Sequence, residues 1–221
     1  MYLCNNKTTT NIFDDMKIIT ISREFGSGGR ELGKHLADVL GYDYYDKEII
    51  TAIATNTGMD ENYIERNLEH DRWQNVPLTF HQSVTSISLD STHTELLLER
   101  KRVIEEIAKT GKNCIIVGRN ADVLLREYRP FNIFVCADLE TKTRRCMERS
   151  SEDECLNSKE LIRKINKIDK RRAQTRALIT DSDWGDRSAY HLILNTTDWD
   201  LKELALALAE FTKRWFESNS K

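Results

Sequence analysis

The run Ile18-Ile19-Thr20-Ile21-Ser22-Arg23-Glu24-Phe25-Gly26-Ser27-Gly28-Gly29-Arg30-Glu31-Leu32-Gly33-Lys34-His35-Leu36-Ala37 constrains this chain more than any other. Apolar β-branched residues feed a glycine-rich turn, and the turn opens into a helical pattern carried by Leu32, Leu36, Val39 and Leu40. A strand that passes through such a turn into a helix presents free backbone N–H groups and a positive helix end, where an anionic phosphate can sit. The run reads as a P-loop whose usual lysine is missing.

The fingerprint G-x-x-x-x-G-K-[ST] can be laid on this run in two frames. One uses Gly28, Gly33 and Lys34, with His35 in place of the hydroxyl. It sets Gly33 and Lys34 inside the helix, a turn or more past any phosphate. The other frame follows the end of the strand near Ser22. Arg23 then takes the first glycine position, Gly28 the second, Gly29 the lysine position and Arg30 that of the Mg²⁺-binding hydroxyl. The second frame is the one that fits a strand ending near Ser22. A plain glycine turn without a ligand is the competing reading.

Further along, elements alternate as an α/β fold requires. Strand-like apolar runs occur at 17–22, 113–117, 132–136 and 190–195, with a shorter one at 42–45. Helical patterns fall at 30–40, 47–55, 95–109, 139–149 and 159–179. In the last helix Leu201, Leu204, Leu208, Phe211 and Trp215 form one core-facing stripe. Only Pro77 and Pro130 interrupt the chain, and no repeat or flexible linker divides it, so 17–221 reads as one domain. Residues 1–16 read as a disordered polar extension, with Met16 a candidate alternative start. The least regular stretch, Gly58 to Asp90, either covers an acceptor substrate or makes an oligomer contact.

Composition excludes several classes. A formal net charge of −3 with 31% charged residues gives no reason to expect nucleic acid or an acidic membrane surface as partner. No apolar run approaches the roughly 20 residues that span a bilayer, and the N-terminus lacks the apolar core of a signal peptide. Five scattered cysteines (Cys4, Cys114, Cys136, Cys146, Cys155) without a C-x-x-C pair argue against a zinc site or disulfide framework, and so for a cytoplasmic setting.

Three clusters fall at the carboxyl ends of the strands, where open α/β sheets bind ligands. Tyr44-Tyr45-Asp46-Lys47 follows the second strand; Asp46 either caps the next helix or faces a substrate. Gly118-Arg119-Asn120-Ala121-Asp122 follows the third; Arg119 either grips a phosphate in bidentate fashion or serves a structural salt bridge. The basic helix with Lys164, Lys167, Asp169, Lys170, Arg171, Arg172 and Arg176 is either a solvated face or a lid. Within it Asp169 can hold Arg172 at i, i+3, and Arg172 and Arg176 share a face.

Together, Ser22–Arg30, Tyr45-Asp46, Gly118-Arg119-Asn120, Asp169-Lys170-Arg171-Arg172, Trp184-Gly185-Asp186 and Leu194-Asn195-Thr196-Thr197 resemble the cytidylate-kinase-like family of P-loop nucleoside monophosphate kinases. The resemblance implies a three-layer fold with a five-stranded parallel sheet, a helical acceptor-side insertion at 58–100 and a lid at 158–187. It also implies Mg-ATP as donor and CMP, dCMP or a similar small phosphorylated acceptor. By the same resemblance Arg23, Gly26, Ser27, Gly28, Gly29 and Arg30 hold the donor phosphates, and Asp46 and Arg119 face the acceptor. Arg171, Arg172 and Arg176 close over the transferring group, with Arg30 among the catalytic cations. A homo-oligomer is compatible with the pattern. Ser22 and Ser27 are both candidate Mg²⁺ anchors.

The absent lysine weakens the catalytic expectation, because phosphoryl transfer rests on alignment and charge neutralisation. Three functions therefore follow: an ATP-dependent kinase, a nucleotide-binding protein without transfer activity, and a scaffold that binds another anion at the same helix end.

Overall fold

The computed structural model describes residues 16–64, 91–149 and 157–219. The expected extension, except Met16, and most of the 58–100 insertion lie outside the described residues, as do Cys4 and Cys155. The described chain forms strands β1 (Ile18–Arg23), β2 (Asp43–Tyr45), β3 (Cys114–Val117), β4 (Phe131–Cys136) and β5 (Leu192–Asn195). The main helices are α1 (Gly29–Leu40), α2 (Glu48–Thr57), α3 (Ser91–Lys109), α4 (Ala121–Leu124), α5 (Leu139–Arg149), α6 (Ser158–Ala177) and α7 (Leu201–Asn219).

The strands make one all-parallel sheet in the order β2-β3-β1-β4-β5. Parallel pairing needs crossover helices, and these cover both faces. Successive β1 residues therefore serve opposite cores. Ile19 and Ile21 pack with Leu32 and Leu36 of α1 and Leu204 and Leu208 of α7. Ile18 packs on the other face with Ile49 and Ile53 of α2 and Leu96 and Ile104 of α3. Each fully buried isoleucine contributes about 1.5–3 kcal/mol, so the central strand anchors both layers. Met16, placed in the extension by the sequence reading, is buried in the second core.

Gly33 settles the frame of the glycine loop. It lies within α1, where a Cβ would come 3.0 Å from Val117 Cγ2 and 3.1 Å from Ile21 Cδ1. Its role is close packing of helix on sheet, and the loop ends at Gly28.

The stripe expected on α7 needs one correction. Leu201, Leu204 and Leu208 are buried, but Phe211 is 48% exposed and the buried row continues through Thr212 and Phe216. Thr212 remains satisfied there because its hydroxyl donates to the Leu208 carbonyl at 2.7 Å. Phe211 still approaches Phe131, at 6.0 Å between ring centroids. Among the described residues, no helix is long and apolar enough to cross a membrane.

Candidate active site

The turns that follow β1, β2 and β3 gather at the carboxyl edge of the sheet. In the first, Gly26 and Gly28 adopt left-handed φ values of 79° and 81°. Gly28 caps α1 without any side-chain hydrogen bond, so the start of the helix keeps its N–H groups free of a side-chain cap. The Ser27 carbonyl is pulled to the opposite side, where it accepts from Thr196 Oγ1 at 2.6 Å and Arg145 Nη1 at 3.0 Å. Arg145, buried on α5, also donates through Nη2 to the Thr196 carbonyl at 2.8 Å. The loop is thus tied from behind.

Packing explains the missing lysine. A Cβ at Gly29 would stand 2.6 Å from Arg23 Cβ and 3.3 Å from Val135 Cβ. No side chain fits at that position while Arg23 occupies the first loop position. Arg23 in turn crosses to the third strand's turn, where a Cβ on Gly118 would lie 1.5 Å from Arg23 Nη1. Burial and the nearby Arg172 lower the Arg23 pKa to about 9, with Asp46 opposing the shift.

Asp46 is only 2% exposed. Its carboxylate meets Arg30 Nε at 2.5 Å and Arg23 Nη2 at 3.5 Å. It does not cap α2: the N-cap is Lys47, without a side-chain cap bond, and the Asp46 N–H donates to Glu48 Oε2 at 2.8 Å. Two arginines converge on a buried carboxylate, so Asp46 is a positioning anion for both.

Helix α6 closes on this arrangement. Asp169 Oδ1 accepts from the Phe25 N–H at 2.7 Å, and Arg172 Nη1 donates to the Arg23 carbonyl at 2.8 Å. The expected i, i+3 pair is present, with Arg172 Nη1 3.4 Å from Asp169 Oδ1. Lys142 of α5 reaches Glu24 Oε2 at 2.9 Å and Asp169 Oδ2 at 3.7 Å. Desolvation raises the Asp169 pKa against these partners.

Two clefts result. The first, of about 290 Å³, runs along the loop beside Glu24, Phe25, Gly26, Gly28, Gly29, Arg30, Cys146, Arg149 and Lys164. The second lies over the Gly118 turn and is lined by Ser22, Arg100, Gly118, Arg119, Asn120, Arg171 and Trp184. Arg23 and Arg172 line both. Gly118, Arg119 and Asn120 hold φ values of 73°, 60° and 55°, three left-handed residues in a row. A non-glycine residue there costs of order 1 kcal/mol, and such strain collects at functional sites.

The structure therefore brings Arg23, Gly26, Gly28, Gly29, Arg30, Arg119, Arg171 and Arg172 to the clefts, with Asp46 behind Arg23. Ser27 is fully buried, and its hydroxyl donates to the Glu24 carbonyl at 2.9 Å, so its contribution is the fold of the loop. Arg176 is not brought to either cleft. It is 2% exposed, bonds Asp122 Oδ2 at 2.6 Å and Ser182 O at 3.0 Å, and lies over the Tyr190 ring. Arg100, Lys142 and Arg145 escaped the sequence reading, since each stands in a helical charge pattern that looks solvated.

A family model described as the cytidylate kinase-like family matches residues 18–198. The chain belongs to this family. It is 27% identical over 191 residues to the cytidylate kinase of Methanospirillum hungatei, covering 86% of this chain and 93% of that protein. An uncharacterised protein from Eubacterium ventriosum superposes with a TM-score of 0.66 at 24% identity, covering 90% of this chain and 99% of that one. The shikimate kinase of Bacteroides thetaiotaomicron superposes with a TM-score of 0.54 at 15% identity, covering 90% of this chain and 99% of that one, a likeness of fold. Family and fold support phosphoryl transfer to a nucleotide-like acceptor.

Proposed function

We propose that this protein transfers the γ-phosphoryl group of ATP to a nucleoside monophosphate of the CMP or dCMP type, or to another small phosphorylated acceptor. The observation that carries the reading is the pair of clefts meeting on Arg23 and Arg172. ATP phosphates lie on the glycine loop in the first cleft, and the acceptor phosphate enters the second. The moving group passes the two shared guanidiniums, which neutralise charge as it develops. Arg30, anchored by Asp46, adds a cation at the helix start, and Arg171 adds one from the lid side. A phosphate acceptor is already a nucleophile, which agrees with an Asp46 engaged by two arginines rather than free to act as a base. The cytidylate kinase relative supports the choice of acceptor class.

Mg²⁺ is expected with ATP. Among the described residues no cluster of three or more His, Cys, Asp or Glu could hold a metal, and the Ser27 hydroxyl is turned to Glu24. The fit is to a cation held chiefly by phosphate oxygens and water, with at most one or two protein ligands, the usual manner of Mg²⁺ in kinases. A cytoplasmic setting, where ATP and nucleoside monophosphates meet, is part of the proposal.

The test is ADP release from Mg-ATP with each common nucleoside and deoxynucleoside monophosphate, the product identified by mass. Turnover with one acceptor well above the ATP-only rate supports the reading. A second reading, a nucleotide-binding protein without transfer, draws on the closed space at Gly29. Saturable ATP binding with no product from any acceptor would favour it.

A further inference from the structure

Arg176 lies outside both clefts, yet its guanidinium joins the segments that wall the second one. Nη1 donates to Asp122 Oδ2 at 2.6 Å, which ties α6 to the turn after β3. Nε donates to the Ser182 carbonyl at 3.0 Å and Nη2 to the Ser182 hydroxyl at 2.8 Å, which ties in the segment that carries Trp184. Each joined segment supplies a wall residue: Arg172 from α6, Arg119 from the turn, and Trp184 itself. Arg172 lies one helical turn before Arg176. Arg119 lies three residues before Asp122, in a turn closed by the Ala121 N–H donating to the Gly118 carbonyl at 3.1 Å.

Stability does not account for this pair. Both side chains are 2% exposed, and Asp122 Oδ1 is buried without a hydrogen-bond partner. Apolar side chains of like volume often serve stability as well as a buried ion pair does, or better. What the pair offers over them is direction, because a planar guanidinium fork fixes both the distance and the angle of its partners. We propose that Arg176 and Asp122 are positioning residues for phosphoryl transfer. Their bond sets the separation of Arg119 and Arg172 across the second cleft, and the Ser182 bonds set Trp184 beside them. The transfer part rests on the kinase reading; the joining of the three segments does not.

The experiment compares wild type with Arg176→Met, Arg176→Lys and the double variant Asp122→Leu/Arg176→Met by thermal melting, amide hydrogen exchange and steady-state kinetics. Arg176→Met alone strands a buried carboxylate and melts below wild type. The double variant recovers to near wild type, because no buried charge is left uncompensated. In it the hydrogen-bonded amides of Ala121, Leu124 and Asp186 exchange about tenfold faster or more, while that of Leu32 at the start of α1 is unchanged. Wild-type exchange at the first three overturns the proposal, whether or not the protein is a kinase. With an acceptor that turns over, the double variant loses about tenfold or more in acceptor kcat/KM, and its ATP KM stays near wild type. Freed amides with full acceptor kcat/KM would make the pair structural only and overturn the positioning role. Should the double variant not fold, Arg176→Lys decides. One ammonium holds Asp122 but lacks the fork that also holds Ser182, so Asp186 exchange and the acceptor KM rise. Wild-type values for both in Arg176→Lys overturn the proposal.

Discussion

The two clefts are built by different means. The loop cleft is organised around main chain: left-handed Gly26 and Gly28, the open start of α1 and a Ser27 carbonyl tied back by Arg145 and Thr196. Its charged neighbours come in both signs, with Lys142 set between Glu24 and Asp169. The arginine cleft is made of side chains from separate elements, and the charged residues that line it among the described residues are all arginines. Main-chain sites bind phosphate by shape and tolerate substitution of neighbours, whereas side-chain sites concentrate their energy in a few guanidiniums. This difference says where each kind of damage should appear.

The largest effect is expected where the clefts join. Arg23→Ala removes one of the two guanidiniums that both share, and kcat should fall by about 10²–10³, the scale for loss of one preorganised charge-stabilising group. A fall confined to one substrate's KM would mean that the clefts do not share this residue in function. Next comes Arg119→Ala, which should weaken acceptor use by about 1.5–3 kcal/mol in kcat/KM while sparing ATP binding. Equal losses for both substrates would erase the distinction between the clefts. Thr196→Val addresses the loop alone. Losing the hydroxyl that holds Ser27 O should cost about 1 kcal/mol, read as weaker ATP binding with an unchanged acceptor KM.

The smallest effect lies outside both clefts. His191 Nδ1 accepts the Asn132 N–H at 2.9 Å, and burial lowers its pKa. The fold therefore favours neutral imidazole, and its contribution to stability is present above about pH 6.5. As pH falls below that toward the lowered folded value, the unfolded state takes up the proton first and stability declines. Thermal melts from pH 7.5 to 5.5 should flatten in His191→Gln, with the ATP response unaltered; an identical slope in the variant would remove His191 from the acid dependence.

Legibility in the sequence followed the same division. The glycine loop and all five strands were visible, because positive φ demands glycine and buried parallel strands demand unbroken apolar runs. Strand ends differed by a residue or two, as with Arg23, which belongs to β1. The Gly118-Arg119-Asn120 turn was visible because it directly follows the third apolar run. Arg100 was not, since residues 95–109 mix leucines and charges as any amphipathic surface helix does. Its direction is set by packing against the second core. Arg176 looked like a partner of Arg172 on one face, yet a single turn separates a cleft residue from one bonded to the distant Asp122. The α7 stripe slipped from Phe211 to Thr212 because a helix of 3.6 residues per turn drifts across a row of large side chains.

One detail of packing reaches further than its place in the loop suggests. The fingerprint asks for glycine at the position that Arg23 fills, and the space that Arg23 then needs is left open by Gly118 on a neighbouring strand's turn. The glycine has in effect changed places across the sheet, and with it a cation has moved from the usual lysine position to the strand end. Reverting either residue alone would leave a hole or a clash. A return to the conventional loop would need Arg23, Gly29 and Gly118 to change together, so this chain's variant loop is held in place by its neighbours as firmly as by its chemistry.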